Sequence, residues 1–292
     1  MNIGIFDSGL GGLIIAKAIR KLMPEYSYVY LGDTKRVPYG NRSHETVFEF
    51  TKQAVDYLFR KENCEIIILA CNTASARALR RIQQEYLPKN FPASTREGEP
   101  TRGGPDRKVL GVLIPTAEEC VKFKKVGIIA TTGTVLSNTF FDEIKKLFQK
   151  TKVFQNPAPM LVPMAEEGEK ILVKPFIEKY LKPFLSKSRR PKGSGPRPQA
   201  SGKIEALALG CTHYPFYKKE IRKILGRNIK VISQDEIIPK KLKEYLKRHP
   251  EIKNKLSKNK HSKILVTDIT KNVEKLTQKW FGPDAKPELI RL

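Results

Sequence analysis

Four cysteines stand at positions 64, 71, 120 and 211, and two of them share a setting. Cys71 closes the run Ile66-Ile67-Ile68-Leu69-Ala70 and leads into Asn72-Thr73; Cys211 closes Ala206-Leu207-Ala208-Leu209-Gly210 and leads into Thr212-His213. A short apolar run that stops at a thiol and continues into hydroxyl or amide residues predicts a buried parallel strand feeding a helix N-terminus. A free thiol with a pKa of about 8.5 is only a few per cent thiolate at pH 7. Helix N–H groups and the helix dipole at a strand-to-helix turn favour the anion. Two such groups on opposite sides of one ligand can share a task. A thiolate takes a proton from a carbon acid, a thiol returns one to the other face, and the stereocentre is inverted. This chemistry needs no metal or organic cofactor if nearby donors stabilise the carbanion and polar groups fix the ligand. Cys64 and Cys120 read as small buried residues, one at the approach to a strand and one on a helix. The spacings are not those of a zinc site, and a reducing compartment argues against a disulfide framework.

Donors are present near the N-terminus. Asp7-Ser8-Gly9-Leu10-Gly11-Gly12 follows a first strand and opens a helix. Ser8 and the glycine-rich backbone can therefore hold a carboxylate where the helix dipole favours it. Asp7 can bond an ammonium group or assist Cys71. Position 14 is Ile, so the third glycine of a dinucleotide fingerprint is missing, and no Gly-Lys-Ser/Thr run is found. Nucleotide binding therefore has weak support.

The segments that must position these groups alternate between strand and helix. Strands are expected at 3–6, 27–31, 65–70, 126–130 and 204–209, with an apolar run at 109–114. Helices are expected at 11–22, 44–61, 73–86, 116–123, 137–149, 167–185 and 215–225. The pattern implies an α/β fold with mostly parallel sheets flanked by helices. Two stretches rich in Pro, Gly, Ser and basic residues, at about 88–108 and 186–202, read as flexible inserts. The halves also resemble each other. Gly4 to Cys71 is 67 positions and Gly127 to Cys211 is 84; the difference of 17 matches the second insert. This spacing predicts two pseudo-symmetric α/β lobes, one from 1–95 plus 216–292 and one from 96–215. Strand C-termini, where ligands bind in open α/β sheets, would then meet at an interlobe cleft.

The chain of 292 residues carries 55 Lys and Arg against 30 Asp and Glu, a net charge of +25. Residues 215–292 alone hold 21 basic and 9 acidic residues. Such a field attracts anions. The lysines, however, recur at helical intervals, as in Lys240-Lys241-Leu242-Lys243, and are not interleaved with aromatics into a stacking platform. Nucleic-acid contact is therefore expected to be nonspecific. The N-terminus lacks a signal-peptide series and no apolar run approaches the ~20 residues of a membrane span. A cytoplasmic protein without membrane contact is expected.

Four motifs in order, Asp7-Ser8-Gly9-Leu10-Gly11-Gly12, Val37-Pro38-Tyr39-Gly40, Ala70-Cys71-Asn72-Thr73-Ala74-Ser75 and Gly210-Cys211-Thr212-His213-Tyr214-Pro215, resemble those of glutamate racemase, within the aspartate/glutamate racemase family. Leu161-Val162-Pro163-Met164-Ala165-Glu166-Glu167-Gly168 is a weaker match. The resemblance implies cofactor-independent interconversion of L- and D-glutamate, supplying D-glutamate for peptidoglycan. It implies Cys71 and Cys211 as the two proton-transfer groups, with Asp7, Glu166 and His213 as auxiliary catalytic groups. Substrate contacts would come from Asp7, Ser8, Tyr39, Gly40, Asn72, Thr73, Thr131, Thr134, Thr212 and His213. A homodimer is one assembly compatible with it. The chain departs from the family at Phe140, Ala158 and Ser233-Gln234. His44, His249 and His261 lack such company and read as solvent-facing. Two alternatives stand beside this reading: aspartate racemization, and a nucleic-acid-associated binding protein with reduced catalysis.

Overall fold

Ten strands are found among the described residues, which in this computed structural model are 1–92, 107–185 and 203–292. In chain order they are β1 (Asn2–Asp7), β2 (Tyr28–Gly32), β3 (Cys64–Leu69), β4 (Lys108–Gly111), β5 (Lys125–Ala130), β6 (Lys152–Pro157), β7 (Ala206–Gly210), β8 (Lys230–Ile232), β9 (Ser262–Val266) and β10 (Pro287–Leu289). They form a six-stranded sheet of order β10-β9-β2-β1-β3-β4 and a four-stranded sheet of order β6-β5-β7-β8. Every strand pairing among them is parallel. Parallel sheets need helices on both faces, which explains why β2, β3 and β7 are buried at every position and are largely apolar.

The chain divides into two compact units, Met1–Val112 with Pro239–Leu292, and Leu113–Ile238. The same order recurs in both: β2-β1-β3-β4 in the first and β6-β5-β7-β8 in the second. These limits differ from the expected boundaries at 95/96 and 215/216. Residues Lys108–Gly111 pair with β3 and stay with the first sheet. Residues Lys230–Ile232 pair with β7, which carries the chain up to the start of the long helix Gln234–Arg248 into the second unit. The chain rejoins the first sheet where β9 pairs with β2.

In the first unit, α1 (Gly12–Leu22) follows β1 and buries Leu13, Ile15, Ala16 and Ile19. The helix α2 (His44–Arg60) starts at Ser43, whose hydroxyl accepts from the Thr46 N–H at 3.2 Å. Its apolar stripe Val47, Phe48, Ala54, Val55, Leu58 and Phe59 packs into the core with Ile67 and Leu69. After β3 comes α3 (Asn72–Arg77). The single helix expected at 73–86 is instead broken: α3 gives way to a turn at Leu79–Arg81, a wide turn at Ile82–Tyr86 and a last turn at Leu87–Asn90.

Two further expected helices, 137–149 and 167–185, start later than expected, each preceded by a left-handed residue and a separate short helix. Asn138, with φ 56°, separates Thr132–Leu136 from Thr139–Leu147. Gly168, with φ 76°, ends Leu161–Glu167 before a second helix at Val173–Leu185. Of the expected inserts, 186–202 and most of 88–108 lie outside the described residues; the part that is described includes the end of a helical turn at Asn90 and the start of β4 at Lys108. No helix among the described residues is long and apolar enough to cross a membrane.

Candidate active site

The first unit brings Asp7, Ser8 and Cys71 together at the C-terminal ends of adjacent strands. β1 pairs with β3, and the Ala70 N–H continues the ladder to the Phe6 carbonyl at 2.8 Å. Asp7 thus ends one strand beside the thiol that follows the next. Cys71 is the N-cap of α3: its sulfur accepts from the Ala74 N–H at 3.4 Å and its thiol donates to Ser8 Oγ at 3.3 Å. Asn72 and Thr73 form the first turn of α3 and are buried.

Asp7 is fully buried, and its Oδ2 accepts from the Gly9 and Gly12 N–H groups at 3.2 and 3.1 Å. A Cβ at residue 12 would lie 2.7 Å from the Asp7 Cβ, so glycine is required for α1 to start this close to the carboxylate. Burial, and then the Asp7 charge, push the Cys71 thiol up to about 12, against the opposing hydrogen bonds from Ser8 and Ala74. Cys71 is therefore a protonated thiol at neutral pH.

Tyr39 and Gly40 lie in a single helical turn, Tyr39–Asn41, after the cis Val37–Pro38 bond. The Tyr39 ring is buried between Phe6 and Phe50, with centroids at 6.3 and 5.7 Å. Its hydroxyl donates to Asp33 Oδ2 at 2.5 Å. Burial and the Asp33 charge raise its pKa, which keeps the phenol protonated. Asp33 also accepts from Arg36 Nε at 2.6 Å and Thr267 Oγ1 at 2.8 Å. Sequence reasoning missed Asp33 and Thr267. A carboxylate at the end of β2, six residues before a buried tyrosine, was the available signal for the first; nothing in the sequence pointed to the second.

The second unit arranges its thiol differently. Cys211 follows β7, and β7 pairs with β5 so that Gly210 lies opposite Ala130. The next residue after Ala130, Thr131, caps the helix Thr132–Leu136; its Oγ1 lies 3.0 Å from the Thr134 hydroxyl and accepts from the Thr134 N–H at 3.4 Å. Thr131 and Thr134 are thus placed at the same sheet end as Cys211 and Thr212.

His213 connects the thiol to a carboxylate. Its Nδ1 is 3.8 Å from the Cys211 sulfur and 3.4 Å from Thr212 Oγ1, and its Nε2 is 3.0 Å from Glu166 Oε1. Gly168 ends the helix that carries Glu166, placing this residue in the last turn. Burial lowers the His213 pKa, but hydrogen bonds and charges from Cys211 and Glu166 overcome that effect and raise it. The raised pKa favours an imidazolium, a cation beside the sulfur. Tyr214 anchors the turn through its hydroxyl to the Ala158 carbonyl at 2.7 Å. Phe140 and Ala158 are buried, and Gln234 donates to Thr116 Oγ1 at 3.2 Å.

Cys64 and Cys120 are buried, and burial raises both pKa values, so they stay with the core. His44 and His261 are exposed. His249 departs from expectation: it is only partly exposed, its ring packs 4.1 Å from the Tyr245 ring and its Nδ1 is 2.9 Å from Glu251. Among the described residues no cluster of three or more His, Cys, Asp or Glu could hold a metal ion.

No family model matches the chain. Whole-length relatives do. A glutamate racemase of Aquifex aeolicus is 34% identical over 294 residues, covering 99% of this chain and 97% of the relative. The chain belongs to the glutamate racemase family. A glutamate racemase of Paracoccus denitrificans is 35% identical over 265 residues, covering 86% of this chain and 87% of its own length. Among solved structures, glutamate racemase from Francisella tularensis in complex with D-glutamate is similar with a TM-score of 0.80 and 30% identity, covering 99% of this chain and 97% of that one. Glutamate racemases thus share with this chain both its sequence and its two-sheet α/β fold.

Proposed function

We propose that the protein interconverts L- and D-glutamate by proton transfer at the α-carbon, with Cys71 and Cys211 acting on opposite faces. One thiolate removes the α-proton and becomes a thiol; the other thiol protonates the carbanion from the far side and becomes a thiolate. Protons balance, and the enzyme is left in the form that accepts the other enantiomer, so both sulfurs must exchange protons with their neighbours or solvent before the same direction runs again. The observation that carries the reading is the recurrence of a buried thiol after corresponding strands, β3 and β7, in sheets of the same order.

The neighbouring groups suit this division of labour. Cys71, held as a thiol, is the donor arm of the resting enzyme, and Asp7, whose charge acts on that thiol, takes its proton when Cys71 must start as the base, or bonds the substrate ammonium. His213, charged and held by Glu166, is the partner for Cys211. Ser8, Gly40, Asn72, Thr73, Thr131, Thr134 and Thr212 supply the donors for the two carboxylates, with Tyr39 setting the position of Gly40. The chemistry calls on no organic cofactor or metal, and the product supplies D-glutamate for peptidoglycan.

The test is deuterium incorporation in D2O. Cys71→Ser and Cys211→Ser are each expected to reduce racemization by about 10²–10⁴-fold, the range for loss of one acid–base group. Each variant should retain α-proton exchange with only one enantiomer, and a different one in each case. Unchanged turnover in both variants refutes the reading. Parallel rates on aspartate without added pyridoxal phosphate decide the substrate.

A further inference from the structure

We propose that Thr267, just beyond β9, is a positioning residue for the Tyr39-Gly40 segment and acts through Asp33. The proposal rests on the reading of Tyr39-Gly40 as substrate-contacting. β9 pairs with β2 so that Val266 lies opposite Gly32, and the Thr267 N–H extends the ladder to the Gly32 carbonyl at 3.2 Å. This register places Thr267 beside Asp33, although 234 positions separate them.

The Thr267 hydroxyl does two things at once. It donates to Asp33 Oδ1 at 2.8 Å and accepts from the Lys35 N–H at 3.0 Å. The other carboxylate oxygen of Asp33 accepts from the Tyr39 hydroxyl and from Arg36 Nε. A continuous chain therefore runs from Thr267 through a fully buried carboxylate to the tyrosine that precedes Gly40. A second link lies alongside it: Thr34 Oγ1 donates to the Asp268 carbonyl at 2.7 Å and accepts from the Asp268 N–H at 2.9 Å. Residues 33–38 between β2 and the Tyr39 turn belong to neither strand nor helix. These side-chain bonds take the place of a regular backbone ladder in fixing the segment. Loss of the Thr267 hydroxyl would leave both a buried carboxylate oxygen and a backbone N–H short of a partner, which favours a shift of the whole turn.

The test compares Thr267→Val, which removes the hydroxyl at nearly constant shape, with Thr267→Ser, which keeps it. Thr267→Val is expected to raise KM for glutamate about tenfold, the equivalent of one hydrogen bond. Its kcat should stay within about twofold, and Thr267→Ser should restore KM. Amide hydrogen exchange of residues 34–42 should quicken in Thr267→Val and not in Thr267→Ser. Equal KM and equal exchange in all three proteins overturn the proposal. So does a uniform loss of activity and melting temperature in both variants, the mark of a purely structural residue. If the unmodified protein fails to racemize glutamate, the functional reading falls, and the exchange data still decide whether Thr267 positions the segment.

Discussion

The two thiols have different surroundings, and their titration should differ with them. Burial and the Asp7 charge both raise the Cys71 pKa. Asp7→Asn removes one of those causes, so Cys71 alkylation, followed peptide by peptide in the Cys211→Ser background, is expected to begin at lower pH. An unchanged profile would show that Asp7 does not control the thiol. On the other side, His213 has its pKa raised in the folded state. Its contribution to stability is fully present below the unfolded value of about 6.5 and is lost as pH rises through the folded value. Glu166→Gln removes one source of the upward shift. The alkaline limb of the pH–rate profile should then move to lower pH, and the melting temperature should fall more at pH 6 than at high pH. The placing of Cys71, Cys211, Asp7 and His213 at strand ends was legible in the sequence because each sits in a short contiguous motif. Thr267 was not, because its partners are Asp33 and the backbone of Lys35, and only the pairing of β9 with β2 brings them together.

Elements set where those residues point, and the start of α1 is the tightest case. A methyl group at residue 12 would press against both Asp7 and Ala70. Gly12→Ala is expected to destabilise the protein by about 1–3 kcal/mol, the range for overpacking. It should also reduce racemization strongly, because relief requires Asp7 or α1 to move; thermal melting and initial rates read the two effects separately. Several strands were legible for a simple reason: β1, β3, β5 and β7 lie within the sheets and carry short apolar runs. β6, β8, β9 and β10 were missed. Lys152–Pro157 ends in Gln155-Asn156-Pro157, and Lys230–Ile232 is three residues long, so neither offers a run to detect. The short helices Thr132–Leu136 and Leu161–Glu167 were missed because each has fewer than eight residues, and the left-handed residues Asn138 and Gly168 set them apart from the helices that follow.

For the molecule as a whole, the net charge of +25 is a field that an anionic amino acid enters favourably. Raising ionic strength from about 0.01 to about 0.15 M shortens the screening length from roughly 30 to roughly 8 Å. The kcat/KM for glutamate is expected to fall severalfold over that range, and DNA retained on a filter at low salt should be released by physiological salt. Salt-resistant DNA binding without racemization would favour the binding-protein alternative. The unit limits were only partly legible, since composition showed the inserts but not which short strands close each sheet.

The place of β9 between β2 and β10 has a consequence for biosynthesis. Leu113–Ile238 is one uninterrupted stretch and has all its strands once residue 232 has emerged from the ribosome. The earlier-made half must wait with the flank of β2 bare, an open template for unwanted partners, until the strand carrying Thr267 arrives to cover it. The bracing of the Tyr39-Gly40 turn through Asp33 is thus completed near the end of translation, not at its beginning.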